Sequence, residues 1–142
     1  MRIAIAADHG GFALKNKIME HFKNLNLLDL GTDSADSVDY PDFAKKMAYT
    51  ILSGAADLGI LICGTGIGMS IAANRYHGIR AALVYNREVA KLAKQHNNAN
   101  ILVFGGRTMD EKEVISSIEA FLNSDFEGNR HQRRLDKIEQ TE

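Results

Sequence analysis

Cys63 is the chain's only cysteine, and it stands in the run Leu61-Ile62-Cys63-Gly64-Thr65-Gly66-Ile67-Gly68, where apolar residues give way to glycines. The apolar run predicts a strand and the segment after the glycines a helix, so the thiol falls at a strand-to-helix turn. Backbone N–H groups left unpaired at a helix start, together with the helix dipole, favour negative charge. A thiol placed there ionises more readily than a free one, and the same N–H groups can hold an anionic substrate or intermediate. The chemistry of the chain is therefore expected at this junction.

The glycine spacing rules out several familiar loops. Gly64, Gly66 and Gly68 give G-x-G-x-G, but the dinucleotide fingerprint needs its third glycine where this chain has Met69. No lysine occurs between Cys63 and Asn74, so a nucleotide P-loop is absent. A cysteine phosphatase loop would carry an arginine at the position of Met69, and attack of sulfur on phosphorus is unsupported. Without its cysteine and threonine, the turn would read as tight packing of helix on sheet.

Other polar residues have two readings when taken singly. Asp8, before His9 in Asp8-His9-Gly10-Gly11, is as much a cap for the next helix as a ligand. His96, in Lys94-Gln95-His96-Asn97, reads as a solvated cation near a helix C-terminus. Arg130 and Arg134 lie four apart, so on a helix they share a face and can grip one phosphate. Their alternative is a solvated basic surface balanced by Asp136 and Glu139.

The elements that must position these residues follow from periodicity. Residues 2–7 predict a strand, and Leu14, Ile18 and Phe22 recur at helical spacing after it. Residues 25–30 predict a second strand and residues 31–41 a polar loop dense in turn formers, long enough to suggest a functional role. Phe43, Met47 and Ile51 mark a helix, residues 58–63 the third strand, and residues 67–74 the helix beyond the glycines. Residues 79–85 and 100–104 predict strands flanking a helix that carries Val89, Leu92 and Ala93. Thr108 with Glu111 resembles a capping box ahead of a helix bearing Val114, Ile115, Ile118, Phe121 and Leu122. Residues 130–138 predict a polar last helix whose few apolar residues need a partner surface. The alternation implies an α/β fold with a mostly parallel sheet covered on both faces and no internal repeat. In such sheets ligands gather at the carboxyl ends of the strands, where both Asp8-His9 and Cys63-Gly64-Thr65 are expected.

At 142 residues and 45% hydrophobic content, the chain is expected to form one domain. A net charge of −1 gives no general pull toward nucleic acid or anionic lipid. One cysteine excludes an internal disulfide, and no leader or long apolar stretch is legible, so a soluble cytoplasmic protein is expected.

Taken together the motifs are far more specific. In order, Ala7-Asp8-His9-Gly10-Gly11-Phe12, Asp39-Tyr40-Pro41-Asp42, the stretch 59–74, Ile79-Arg80-Ala81, Gln95-His96-Asn97, Phe104-Gly105-Gly106-Arg107 and Phe126-Glu127-Gly128-Asn129-Arg130-His131 resemble the ribose-5-phosphate isomerase B family across essentially the whole chain. That family also contains allose-6-phosphate and galactose-6-phosphate isomerases, so the resemblance implies aldose–ketose isomerisation, with ribose 5-phosphate the first expectation and the hexose phosphates alternatives. It implies a Rossmann-like αβα domain with a five-stranded sheet and a C-terminal helical tail at about residues 127–142. It also implies a homodimer with a shared active site, a tetramer being open, and no metal or organic cofactor.

By the family pattern Cys63 is the base moving a proton between C1 and C2, His96 opens the sugar ring, and Thr65, in the turn that holds the sugar, is the third catalytic residue. Asp8, His9, Tyr40, Gly64, Gly66, Ile67, Gly68 and Asn97 hold the sugar. His9, Arg107, Arg130 and Arg134 receive the phosphate, Arg134 being preferred to its neighbour Arg133 for its four-residue interval from Arg130. Some members lack the cysteine and use a carboxylate; this chain has it. A thiolate, backbone N–H groups and an imidazole are the parts an enediolate reaction needs. The competing class is a non-catalytic sugar-phosphate or nucleotide sensor with Cys63 as a small apolar strand residue, and a redox-sensing thiol ranks last because no second cysteine can resolve it.

Overall fold

A computed structural model describes residues 1–140 of the chain. Five strands run in the order β2-β1-β3-β5-β4, all parallel: β1 (Ile3–Ala7), β2 (Leu28–Asp29), β3 (Leu58–Cys63), β4 (Ala81–Leu83) and β5 (Ile101–Gly105). The central strands β1, β3 and β5 are buried along their whole length, as apolar strands covered on both faces must be. Alternation splits their side chains between two cores. Ile5, Ile60, Ile62, Leu102 and Phe104 pack with Leu14 and Ile18 of α1 (Phe12–His21), Ala90 of α4 (Arg87–Gln95), and Val114 and Phe121 of α5 (Glu111–Leu122). Ala4, Ala6, Leu61 and Val103 pack with Met47 of α2 (Tyr40–Leu52) and with Met69 and Ala73 of α3 (Ile67–Ala73). The result is the expected three-layer αβα arrangement, with α6 (Arg130–Glu139) added at the end of the chain.

The edges depart from the periodicity. β2 is two residues long because Lys23–Leu25 forms a 3-10 turn and Asn26 takes a left-handed φ of 51°. β4 shrinks to Ala81–Leu83 at the edge of the sheet, beside β5. Helix α2 starts at Tyr40 with Pro41 in its first turn, so both belong to the helix rather than to the preceding loop. The expected capping box is absent: Asp110 is the N-cap of α5, and Thr108 lies in the turn after β5. Asp8 does not cap α1, whose N-cap is Gly11. The last helix holds to its own chain through buried His131 and Leu135, and Glu139 accepts a hydrogen bond from Gly78 N–H. Residues 141 and 142 of the expected tail lie outside the described residues. Among the described residues no helix is long and apolar enough to cross a membrane.

Candidate active site

Strand β3 carries Cys63 to the carboxyl edge of the sheet, where it pairs in register with Gly105 of β5. The residue is 5% exposed, and its Sγ accepts a hydrogen bond of 3.2 Å from Gly66 N–H. That contact requires the turn to fold back sharply, and Gly66 supplies it with φ of 81°, a conformation that disfavours a side chain. Thr65 is exposed, and its Oγ1 accepts the Ile67 N–H at 3.2 Å, fixing the first turn of α3.

Neighbouring loops close around this turn. Gly106 N–H donates to the Cys63 carbonyl at 2.8 Å and Arg107 N–H to the Gly64 carbonyl at 2.9 Å. From β1, Asp8 N–H donates to the Ile62 carbonyl, and the buried Asp8 carboxylate accepts Gly10 N–H at 2.9 Å. His9 Nδ1 accepts Val38 N–H at 3.2 Å, which leaves Nε2 to carry the proton of the neutral ring. Tyr40 lies on Gly68 so closely that a Cβ there would sit 2.5 Å from its ring. Asp8, His9, Tyr40, Cys63, the 64–68 turn and Arg107 thus form one group at the carboxyl ends of β1, β3 and β5.

The remaining predicted residues form a second group elsewhere. His96 is the C-cap of α4, and Asn97 follows it, five and four residues before β5 begins at Ile101. In a parallel sheet that places them at the amino end of β5, whereas Cys63 pairs with its last residue. The length of β5 separates the two groups by about 15 Å. Arg130 and Arg134 belong with His96, since Glu127 N–H donates to the Gln95 carbonyl and α6 follows directly. Both arginines are exposed, as is Arg133. The His96 ring stacks on His131 with centroids 4.3 Å apart and planes 13° from parallel. Glu127 Oε1 stands 3.5 Å from His131 Nε2 and 3.9 Å from His96 Nε2. Sequence reasoning assigned no role to Glu127 or His131, although their four-residue spacing was legible. A groove of about 470 Å³ lies along β4, lined by Leu83, Val89, Leu92 and Leu135 and reaching Asn97.

Residues 3–138 match the family model described as Ribose/Galactose Isomerase. The chain belongs to the ribose/galactose isomerase family. Within it, ribose-5-phosphate isomerase B of Escherichia coli is 42% identical over 139 residues, covering 96% of this chain and 93% of that one. The crystal structure of a ribose 5-phosphate isomerase from Thermotoga maritima superposes with a TM-score of 0.96 at 52% identity, covering 99% of this chain and 98% of the other. The Mycoplasma genitalium ribose-5-phosphate isomerase B, solved with bound ribulose-5-phosphate, superposes at 0.93 with 47% identity, covering 98% and 94%. The fold of the ribose/galactose isomerase family is thus the fold of this chain.

Proposed function

We propose that this chain interconverts ribose 5-phosphate and ribulose 5-phosphate by proton transfer through an enediolate. The observation that carries the reading is Cys63 Sγ at the carboxyl edge of the sheet with the Gly66 N–H donating to it, in a chain of this family. The thiolate takes the proton from C2 of the open aldose and the C1 carbonyl oxygen gains charge; the C2 hydroxyl proton then passes to that oxygen, and return of the carbon-bound proton to C1 leaves the C2 carbonyl of the ketose. The Thr65 hydroxyl and N–H groups of the turn other than those of Gly66 and Ile67 are the donors this reading assigns to that oxygen. His9, with Nε2 carrying its proton, and Arg107 bind the distal phosphate, whose binding energy orients the reacting carbons. The proton moves between carbons on protein groups alone, so the reaction needs neither metal nor organic cofactor. A phosphorylated sugar carries charge that keeps it from crossing membranes, which fits work in the cytoplasm.

Ring opening requires an acid–base group, and His96 is the imidazole the family pattern supplies. Because it sits about 15 Å from Cys63 in the same chain, the reading requires a homodimer in which His96 of a second copy meets Cys63 of the first. Arg130 and Arg134 then arrive with it from the same second copy and complete the phosphate grip.

The test is turnover of ribose 5-phosphate in deuterated water by wild type and Cys63→Ala, with allose 6-phosphate and galactose 6-phosphate as competitors. Wild type should form ribulose 5-phosphate with solvent deuterium at the exchanged carbon and prefer the pentose. Equal turnover by the variant removes Cys63 from the base role, and higher efficiency on a hexose phosphate reassigns the substrate.

A further inference from the structure

His131 raises a question that sugar isomerisation leaves open. It is 5% exposed, yet among the described residues its Nε2 has no hydrogen-bond partner, and a buried polar atom of this kind loses solvation without recompense. The atom faces Glu127 Oε1 at 3.5 Å, and His96 Nε2 lies 3.9 Å from the same oxygen. One ligand atom from each of the three residues falls within 4.8 Å of the others. Two imidazole nitrogens and a carboxylate oxygen form a donor set suited to zinc, with a further position left for water or an anion.

We propose that His96, Glu127 and His131 form an inhibitory transition-metal site that takes zinc or cobalt(II) and occupies the imidazole nitrogen His96 would use in ring opening. Tetrahedral bonds of 2.0–2.1 Å set donors about 3.3 Å apart, so the 3.5 and 3.9 Å spacings to Glu127 must contract by about 0.2 and 0.6 Å, and the widest spacing in the set, within 4.8 Å, by up to about 1.5 Å. The parallel stack must also open, because an imidazole lone pair lies in the plane of its ring. His96 and Glu127 allow both movements: their side chains are 39% and 45% exposed and sit on the turn after α4 and the loop before α6. His131, fixed in the fold, is the anchor. A metal held there fastens the end of α4 to the start of α6.

The binding part stands apart from the isomerase reading, and only the inhibition rests on it. The experiment titrates the full-length protein with cobalt(II) and follows visible absorption, then measures zinc uptake by equilibrium dialysis and isomerase activity at each metal level. The variants are His131→Phe, which keeps an aromatic ring for the stack but has no donor, and Glu127→Gln. Wild type should bind one metal per chain with the intense visible bands of a four-coordinate site and lose activity that a chelator restores. His131→Phe should weaken uptake by roughly tenfold or more and remain active at zinc levels that silence wild type. Stoichiometric binding without inhibition supports the site and removes His96 from ring opening. Uptake unchanged in His131→Phe, no uptake at micromolar metal, or a near-ultraviolet thiolate band marking Cys63 as ligand overturns the proposal.

Discussion

Cys63 and His131 are both buried, and their surroundings treat charge in opposite ways. The sulfur has a backbone donor at 3.2 Å, so a negative charge on it is met by the fold. Its replacement by alanine or serine should lower kcat by about a hundred- to ten-thousand-fold while KM changes little, since the lost interaction belongs to the transition state. Steady-state kinetics on ribose 5-phosphate check this. His131 has no such partner, and burial, reinforced by Arg130, His96 and Arg134 and opposed by Glu127, lowers its pKa below 6.5. The unfolded chain therefore binds more protons than the folded one as pH falls below 6.5, and stability rises with pH across that window. The stability contribution is complete above the unfolded value and is lost as pH drops through the folded one. Urea unfolding midpoints should decline below pH 6.5 less steeply in His131→Phe than in wild type.

Among the elements, α1 and β2 are joined by an ion pair of unequal burial. Lys15 Nζ reaches both oxygens of Asp29 at 2.8 Å, with the lysine side chain 1% exposed and the aspartate 40%. Asp29 also accepts Gly31 N–H at 2.9 Å, which ties down the start of the loop that leads to Val38 and its contact with His9. Asp29→Ala strands a buried ammonium and should destabilise by about 3–5 kcal/mol. Lys15→Met leaves a carboxylate that water can reach and should destabilise by less, and thermal or denaturant unfolding of the two variants tests the order. At α4, Asn86 caps the helix by accepting Val89 N–H at 2.8 Å. Asn86→Ala should lower stability by about 1 kcal/mol, read from the same unfolding curves.

At the scale of the whole molecule, the proposed catalytic groups lie at opposite ends of one sheet, so a complete site needs two copies of the chain. Subunit exchange gives a direct test of that arrangement. Cys63→Ala and His96→Ala proteins are each expected to be weak, but a hybrid dimer unites the intact Cys63 of one with the intact His96 of the other at one of its two sites. Random mixing should restore about a quarter of wild-type activity, because half the dimers are hybrids with one good site each. A mixture no more active than its parents would place both groups in one chain's site.

How much of this was legible in the sequence differs between the middle of the sheet and its margins. The strand ending at Cys63, the helices carrying Met47 and Phe121, and the αβα layering follow from apolar periodicity, because strands covered on both faces must be apolar throughout. The short β2 and β4 were not legible, since an edge strand pairs on one side only and its length is set by neighbours rather than by its own pattern. The Thr108 capping motif failed because the turn after β5 spends those residues in contact with Gly105, and the helix starts later at Asp110. The sequence by itself determined which residues are chemically able and which family they match, because residue type and spacing survive in one dimension. Only the tertiary structure decided that Asp8, Cys63 and Arg107 meet while His96 stands at the far end beside Glu127 and His131, because parallel strands send alternate ends of each βα unit to opposite edges of the sheet.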